Sequence, residues 1–265
     1  MAGCSFLVDK MAVSELLSAP IGISSNPCAL SVSGLYAGYG PRVVLHDVNL
    51  EVSLGQTYGL IGLNGVGKTT LIKTVLGLKE AIKGSIQVFG QSNLQAESRR
   101  HIAFLPERFD PPWFLKGGEF VHFAASLYGR RVPDEEIVRS CEELALDPAA
   151  LKHKVQSYSK GMRQKLGLIA TALTGCDLLI LDEPMSGLDP LARSLVKDML
   201  GKVKRQGRTV LLSSHILADL DEICDKVSVV HDGLVYFTGK PIDLREQTQE
   251  HSLERAFLKV IKRSV

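Results

Sequence analysis

The 265-residue sequence predicts an α/β fold, with a parallel-sheet core joined by an antiparallel β subdomain and a helical subdomain. Three observations predict it. Apolar runs at residues 56–61 (QTYGLI), 177–182 (DLLILD) and 210–214 (VLLSS) read as short strands buried on both faces, as strands of a parallel sheet do. Between residues 30 and 60 the pattern is instead short alternating stretches separated by Gly and Pro, the mark of antiparallel strands. From 97 to 155 the character turns helical.

Residues 1–28 are expected to form an N-terminal extension, either flexible or the product of a misplaced start at Met1 in place of Met11, with a helical turn over 13–17. Asp9, Lys10 and Glu15 interrupt its apolar stretch and its first residues lack basic charge, which argues against a cleaved signal peptide. Residues 43–45 and 48–52 then read as two short strands, and 85–89 as a further strand of the same antiparallel sheet.

Residues 62–69 (GLNGVGKT) fit the phosphate-cradling pattern G-x-x-x-x-G-K-[ST] and lie between a buried strand and a helical stretch, the context the motif requires. Glycines let successive backbone N–H groups turn inward onto phosphate oxygens, and the helix start adds positive potential. Gly62, Asn64, Gly65, Val66, Gly67, Lys68, Thr69 and Thr70 are therefore candidate nucleotide-binding residues in a P-loop core. Lys68 would bridge the β- and γ-phosphates, and the Thr69 hydroxyl would ligate Mg²⁺. The following helix is expected over 68–78, with Leu71, Ile72, Val75 and Leu78 on its apolar side.

Further helices are expected at 119–128, 134–146 and 148–154, with Asp134 capping the second and Glu135 and Glu136 in its first turn. Ser159 would cap another helix, running through Lys165, Leu166, Leu168, Ile169 and Leu173. The strand at 177–182 ends in two acids: Asp182 would hold Mg²⁺, and Glu183 would polarise an attacking water. A plain core strand explains neither the adjacent carboxylates nor Pro184. Residues 186–189 (SGLD) make a polar turn, and a third buried strand ends at His215. A lone histidine at a strand end is commonly structural, but this one ends a strand that could neighbour Asp182. Residues 227–230 and 234–237 flank His231-Asp232-Gly233 as a hairpin, and Leu253, Ala256, Phe257, Val260 and Ile261 recur at helical spacing, either as core packing or as a face for a partner helix.

The ordered set of phosphate loop, residues 158–164 (YSKGMRQ), residues 181–184 (LDEP), residues 186–189 and His215 resembles the ABC-type ATPases, the nucleotide-binding subunits of ATP-binding cassette transporters. The resemblance covers roughly residues 29–240. It implies an ABC nucleotide-binding domain with a helical subdomain near 97–157 and a C-terminal helical tail at 241–265. It also implies catalytic roles for Glu183 as general base, His215 as γ-phosphate sensor and Lys68. Ser159 and Gly161 would contact the γ-phosphate held by an opposite subunit, Asp189 would reach across the dimer, and Tyr39 would stack on adenine. Two segments depart from the family pattern. The signature is Tyr158-Ser159-Lys160-Gly161-Met162 where Leu-Ser-Gly-Gly-Gln is usual, keeping the hydroxyl and the unobstructed amide. Glu107 stands where the family has a metal-facing glutamine, so binding is expected to survive with an unpredicted rate. Both variants resemble those of bacterial exporters whose membrane subunits are separate chains.

Composition agrees. The net charge of +2, with signs mixed, gives no electrostatic reason to expect nucleic acid, and the basic runs at 202–208 and 259–263 read as solvated helix ends. Five scattered cysteines without a C-x-x-C read as free thiols in a reducing compartment. No run approaches the ~18–20 apolar residues of a spanning helix, so transport would need another chain. Residues 109–120 (FDPPWFLKGGEF) hold the single tryptophan, and in the resembling family this region receives a short helix from the membrane subunit. An aromatic cluster beside a Pro-Pro turn fits a local core equally well. The expectation is an ATP- and Mg²⁺-dependent ATPase, peripheral at the cytoplasmic face of a membrane and paired as a homodimer or heterodimer, that powers a separate multi-span permease. The alternative is a soluble ABC-type ATPase acting on ribosomes or DNA.

Overall fold

The computed structural model describes residues 28–263. The expected extension at 1–28 therefore lies outside the described residues, except Cys28, which opens the first strand. In chain order the elements are β1 (Cys28–Tyr39), β2 (Arg42–Ser53), β3 (Thr57–Ile61), α1 (Lys68–Val75), β4 (Lys83–Val88), β5 (Gln91–Ser92), α2 (Ala96–Arg100) and β6 (Ile102–Leu105). Then come α3 (Gly117–Ser126), α4 (Asp134–Glu143), α5 (Lys160–Leu173), β7 (Leu178–Asp182), α6 (Pro190–Arg205), β8 (Thr209–Ser214), α7 (Leu217–Ile223), β9 (Lys226–His231), β10 (Leu234–Gly239), α8 (Pro241–Thr248) and α9 (Leu253–Arg263).

Six strands form one sheet in the order β10-β9-β3-β8-β7-β6, parallel from β9 to β6, with β10 antiparallel at the edge. Every residue of β3, β7 and β8 is buried, because both faces are covered. Leu60, Leu178, Ile180 and Leu211 face α1 and the antiparallel sheet β2-β1-β4-β5. Ile61, Leu179, Leu181, Val210 and Leu212 face the helices of the other layer. Each such side chain contributes about 1.5–3 kcal/mol on burial, so one-residue slips in register are excluded energetically.

Several expectations change in detail. α1 ends at Val75, two turns from its start, because Gly77 takes φ +68° and the Leu78 N–H bonds back to the Lys73 carbonyl. Leu78 is thereby thrown outward and is 69% exposed, not part of the apolar side. The two short strands expected at 43–45 and 48–52 are one strand, β2, whose alternation is broken at Asp47, a residue with φ +48°. Residues 148–152 form a 3₁₀ turn in place of a helix, capped by the Asp147 carboxylate. Asp134 is the first residue of α4 rather than its cap, and its carboxylate instead meets His122 Nε2 at 2.8 Å. Arg208 is not a solvated helix end: its guanidinium donates to the carbonyls of Cys176 (2.6 Å) and Ala172 (2.8 Å). The stripe of α9 is core packing, with Leu253, Ala256, Phe257 and Ile261 buried beside α7 and α8.

Candidate functional site

The register of the parallel sheet builds the site. Ile61 pairs with Ser214 and Asp182 with Ser213, so the loop after β3, the acids ending β7 and the residues ending β8 meet at one edge. Ligands gather at such carboxyl ends. A cavity of about 340 Å³ lies there, lined by Asn64, Gly65, Gly67, Lys68, Thr69, Thr70, Glu107, Asp182 and Glu183.

Sterics dictate the glycines of the loop. Gly67 has φ +113° and caps α1, and a Cβ there would meet Leu45 Cδ2 at 2.6 Å. A Cβ on Gly62 would stand 2.6 Å from the Val230 carbonyl oxygen and 2.8 Å from Val66 Cγ2.

Lys68 is buried, and its ammonium donates to the carbonyls of Gly62 (2.7 Å) and Leu63 (3.1 Å), with Glu183 Oε1 at 4.0 Å. Burial lowers its pKa, and the attraction of Glu183, Asp182 and Glu107 does not restore it. Desolvation outweighs that attraction, and a phosphate would add counter-charge.

Asp182 is buried with both oxygens engaged. The Thr69 hydroxyl donates to Oδ2 (2.9 Å) and the Ser213 hydroxyl to Oδ1 (2.5 Å), while the Glu183 N–H donates to Ser213 Oγ (3.0 Å). Glu183 is buried at φ +51°, a conformation costing a non-glycine residue about 1–3 kcal/mol. His215 Nδ1 lies 2.7 Å from its Oε2, whereas Oε1 has no hydrogen-bond partner among the described residues. The hydroxyl of Thr69 beside the Asp182 carboxylate is a hard oxygen pair that suits Mg²⁺, a cation that keeps several waters and needs no all-protein cage. Among the described residues no cluster of three or more His, Cys, Asp or Glu could form such a cage. Glu107 stands exposed at the mouth of the cavity.

Other expected site residues lie apart from this cavity within one chain. Tyr39 ends β1, is 52% exposed, and carries the Lys79 ammonium 3.9 Å from its ring centroid. Ser159 caps α5, accepting from the Met162 N–H at 3.2 Å. The 186–189 turn packs beside it: a Cβ on Gly187 would meet Lys160 Nζ at 3.3 Å, and one on Gly161 would meet Leu188 Cδ2 at 3.8 Å. Asp189 caps α6 through the Ala192 N–H at 2.8 Å.

Ser213 escapes motif reading, and Gln164 lies within a motif but without an expected role. Ser213 holds Asp182 and the Glu183 backbone together; its signal is its position two residues before His215. Gln164, buried in α5, donates to the Pro184 carbonyl at 2.9 Å and ties the 158–164 segment to the acid-bearing loop.

The aromatic stretch after Glu107 divides. Phe109 and Phe120 pack edge to face on the main core, with ring centroids 5.5 Å apart. Trp113 and Phe114 are 65% and 57% exposed, which overturns the local-core reading for this pair.

Comparison with known proteins adds kinship. A family profile described as "ABC transporter" matches residues 45–186. An uncharacterised ABC transporter ATP-binding protein of Synechocystis is 35% identical over 198 residues, 74% of this chain and 56% of the relative, so the chain spans little more than half that protein's length. The Nod factor export ATP-binding protein I of Ralstonia nicotianae is 31% identical over 232 residues, 84% of this chain and 70% of its own. Among solved structures, the ATP binding subunit of an ABC transporter superposes with TM-score 0.81 at 34% identity, covering 88% of this chain and 99% of that one.

Proposed function

The chain belongs to the ABC transporter family, and from that premise we propose that it is the ATP-binding and ATP-hydrolysing subunit that powers a separate multi-span membrane permease. One observation carries the reading: Lys68, Thr69, Asp182 and Glu183 converge on the cavity at the carboxyl edge of the sheet, His215 holds one oxygen of Glu183, and the other has no hydrogen-bond partner among the described residues.

The residues divide the work. Gly62, Asn64, Gly65, Val66, Gly67 and Thr70 present the loop and the start of α1 to the phosphates of ATP. Lys68 exchanges the Gly62 and Leu63 carbonyls for phosphate oxygens and so gains counter-charge beyond that of the three acids. Thr69, Asp182 and, at the mouth, Glu107 would hold Mg²⁺, which supplies positive charge to the β- and γ-phosphate oxygens when bound. Glu183 uses Oε1 to orient and deprotonate a water in line with the γ-phosphate, while His215 holds Oε2 and turns its exposed edge to the γ-phosphate.

Ser159 accepts from its own helix, which leaves its hydroxyl proton free to donate. Together with the Gly161 N–H it would reach the nucleotide of a second ATPase subunit, identical or related, with Asp189 meeting that subunit across the interface and Tyr39 stacking on adenine. ATP then favours only the closed dimer, and hydrolysis reopens it. In this scheme residues 29–240 are the cassette, 97–157 its helical subdomain and 241–265 the tail. The chain works at the cytoplasmic face of the membrane and needs no nucleic acid. Among the described residues no helix is long and apolar enough to cross a membrane, which supports a separate permease. The variant residues Ser159-Lys160-Gly161 and Glu107, with the Nod factor export relative, support an exporter. Trp113 and Phe114 are the proposed contact for the permease.

The test is affinity purification of the tagged chain from detergent-solubilised membranes, with mass spectrometry and Mg²⁺-dependent ATPase assay of the product. A stoichiometric multi-span protein and ATP turnover are expected. A chain recovered alone or with ribosomes overturns the transporter reading in favour of a soluble ATPase.

A further inference from the structure

Away from the phosphate loop, a second cavity of about 260 Å³ opens where α4 and α5 face the C-terminal end of α6. Its charge balance is uneven. Arg130, Arg139, Lys202 and Arg208 line it against Glu136 and Glu143. Both carboxylates are already engaged, Glu136 by Arg130 at 2.8 Å and Glu143 by Lys202 at 2.6 Å. The Arg139 side chain has no ion pair or hydrogen bond among the described residues, and Arg208 has no ion pair.

Arg208 gives the cavity its polar floor. Its Nε and Nη1 are committed to the Cys176 and Ala172 carbonyls, and its Nη2 is buried with no hydrogen-bond partner among the described residues. An unpaired buried N–H on a guanidinium is costly and persists where something satisfies it. Burial depresses the Arg208 pKa, and the Arg130 charge adds to that effect while Cys176 and Asp177 oppose it. A cavity just under the ~300–1,000 Å³ of ordinary small-molecule sites suits a compact ion or ester.

We propose that this cavity binds a phosphate-type oxyanion, with Arg208 Nη2 and the Arg139 guanidinium as donors and Arg130 and Lys202 supplying the surrounding charge. Planar guanidinium groups match such oxygens with paired N–H donors. The site is separate from the phosphate loop. Arg208 immediately precedes Thr209 at the start of β8, whereas Ser213 lies near its far end, roughly 17 Å away at about 3.3 Å per residue. Because Arg139 rides on α4 while Arg208 leads into the central sheet, the anion would tie the helical region to the core. The inference does not depend on the transport reading.

The experiment titrates inorganic phosphate calorimetrically, at constant ionic strength in chloride, into the full chain carrying Lys68→Ala, so that the phosphate loop contributes little. A parallel arm measures flotation with vesicles containing phosphatidic acid against phosphatidylcholine alone. Both are repeated with Arg139→Gln added, a change at an exposed, unbonded side chain that leaves the melting temperature in place. Binding in either arm that weakens at least tenfold with Arg139→Gln supports the site, and the responding arm identifies a free oxyanion or a lipid headgroup as its source. Absence of binding in both arms, or binding indifferent to Arg139→Gln, overturns it.

Discussion

His215 Nδ1 stands 2.7 Å from Glu183 Oε2, while the other oxygen of that carboxylate is buried with no hydrogen-bond partner among the described residues and has the Lys68 ammonium 4.0 Å away. The pair divides a single carboxylate into an end held by the imidazole and an end without a hydrogen bond. Donation from Nδ1 also fixes which ring nitrogen remains for another partner, Nε2.

Glu183→Gln keeps the shape and the strained φ of +51° but removes the basic oxygen. Turnover should fall about 10²–10⁴-fold while ATP binding is retained, with a closed dimer accumulating in size-exclusion chromatography. Full turnover in this variant would falsify the assignment of Glu183 as base.

Ser213→Ala removes the hydroxyl that donates to Asp182 Oδ1 and accepts from the Glu183 N–H. A hydrogen bond to a charged group is worth about 1.5–3 kcal/mol, enough to raise the Mg²⁺ concentration for half-maximal rate by about tenfold or more. An unchanged Mg²⁺ dependence would mean that Ser213 does not orient the aspartate.

Lys68→Met should abolish most ATP affinity and change the pH dependence of stability in the nucleotide-free protein. The folded pKa of Lys68 lies below its ordinary 10.5, so the buried ammonium costs stability at every pH below that depressed value. As pH climbs from the depressed value to 10.5 the parent sheds this cost and gains on the variant. Denaturant midpoints across that range would read the convergence; a gap that stays constant with pH would contradict the burial argument.

Trp113→Ala removes an exposed ring whose aromatic neighbour is Phe114, ring centroids 5.7 Å apart. A surface change of this kind alters stability by about 0.5 kcal/mol or less, a shift of roughly 2 °C at most. Co-purification with the membrane partner should nevertheless drop. A large loss of thermal stability with partner binding intact would return the ring to a packing role.

The phosphate loop, the acids at 182 and 183 and the strands that carry them were legible because their chemistry is local: glycines at fixed offsets, a lysine and a hydroxyl at a helix start, an apolar run closed by two carboxylates. Chain ends were less so. Leu78 matches the apolar period of α1, yet Gly77 ends the helix through a left-handed turn and bonds to earlier carbonyls. Asp134 reads as a cap by composition, but His122, twelve residues earlier, meets its carboxylate. The aromatic stretch was ambiguous, since no period distinguishes Phe109, which reaches the core, from Trp113, which does not.

By itself the sequence determined the α/β class, the phosphate-loop motif and the candidates for the reacting groups, since these follow from residue type and spacing along a few turns of chain. Only the tertiary structure decided that Ser213 holds Asp182, that His215 takes one oxygen of Glu183, and that Arg208 and Arg139 meet over a cavity at the other end of the sheet. The physical reason is register: strand pairing and helix packing bring together residues 30 to 70 positions apart, and no local preference encodes which of them will touch.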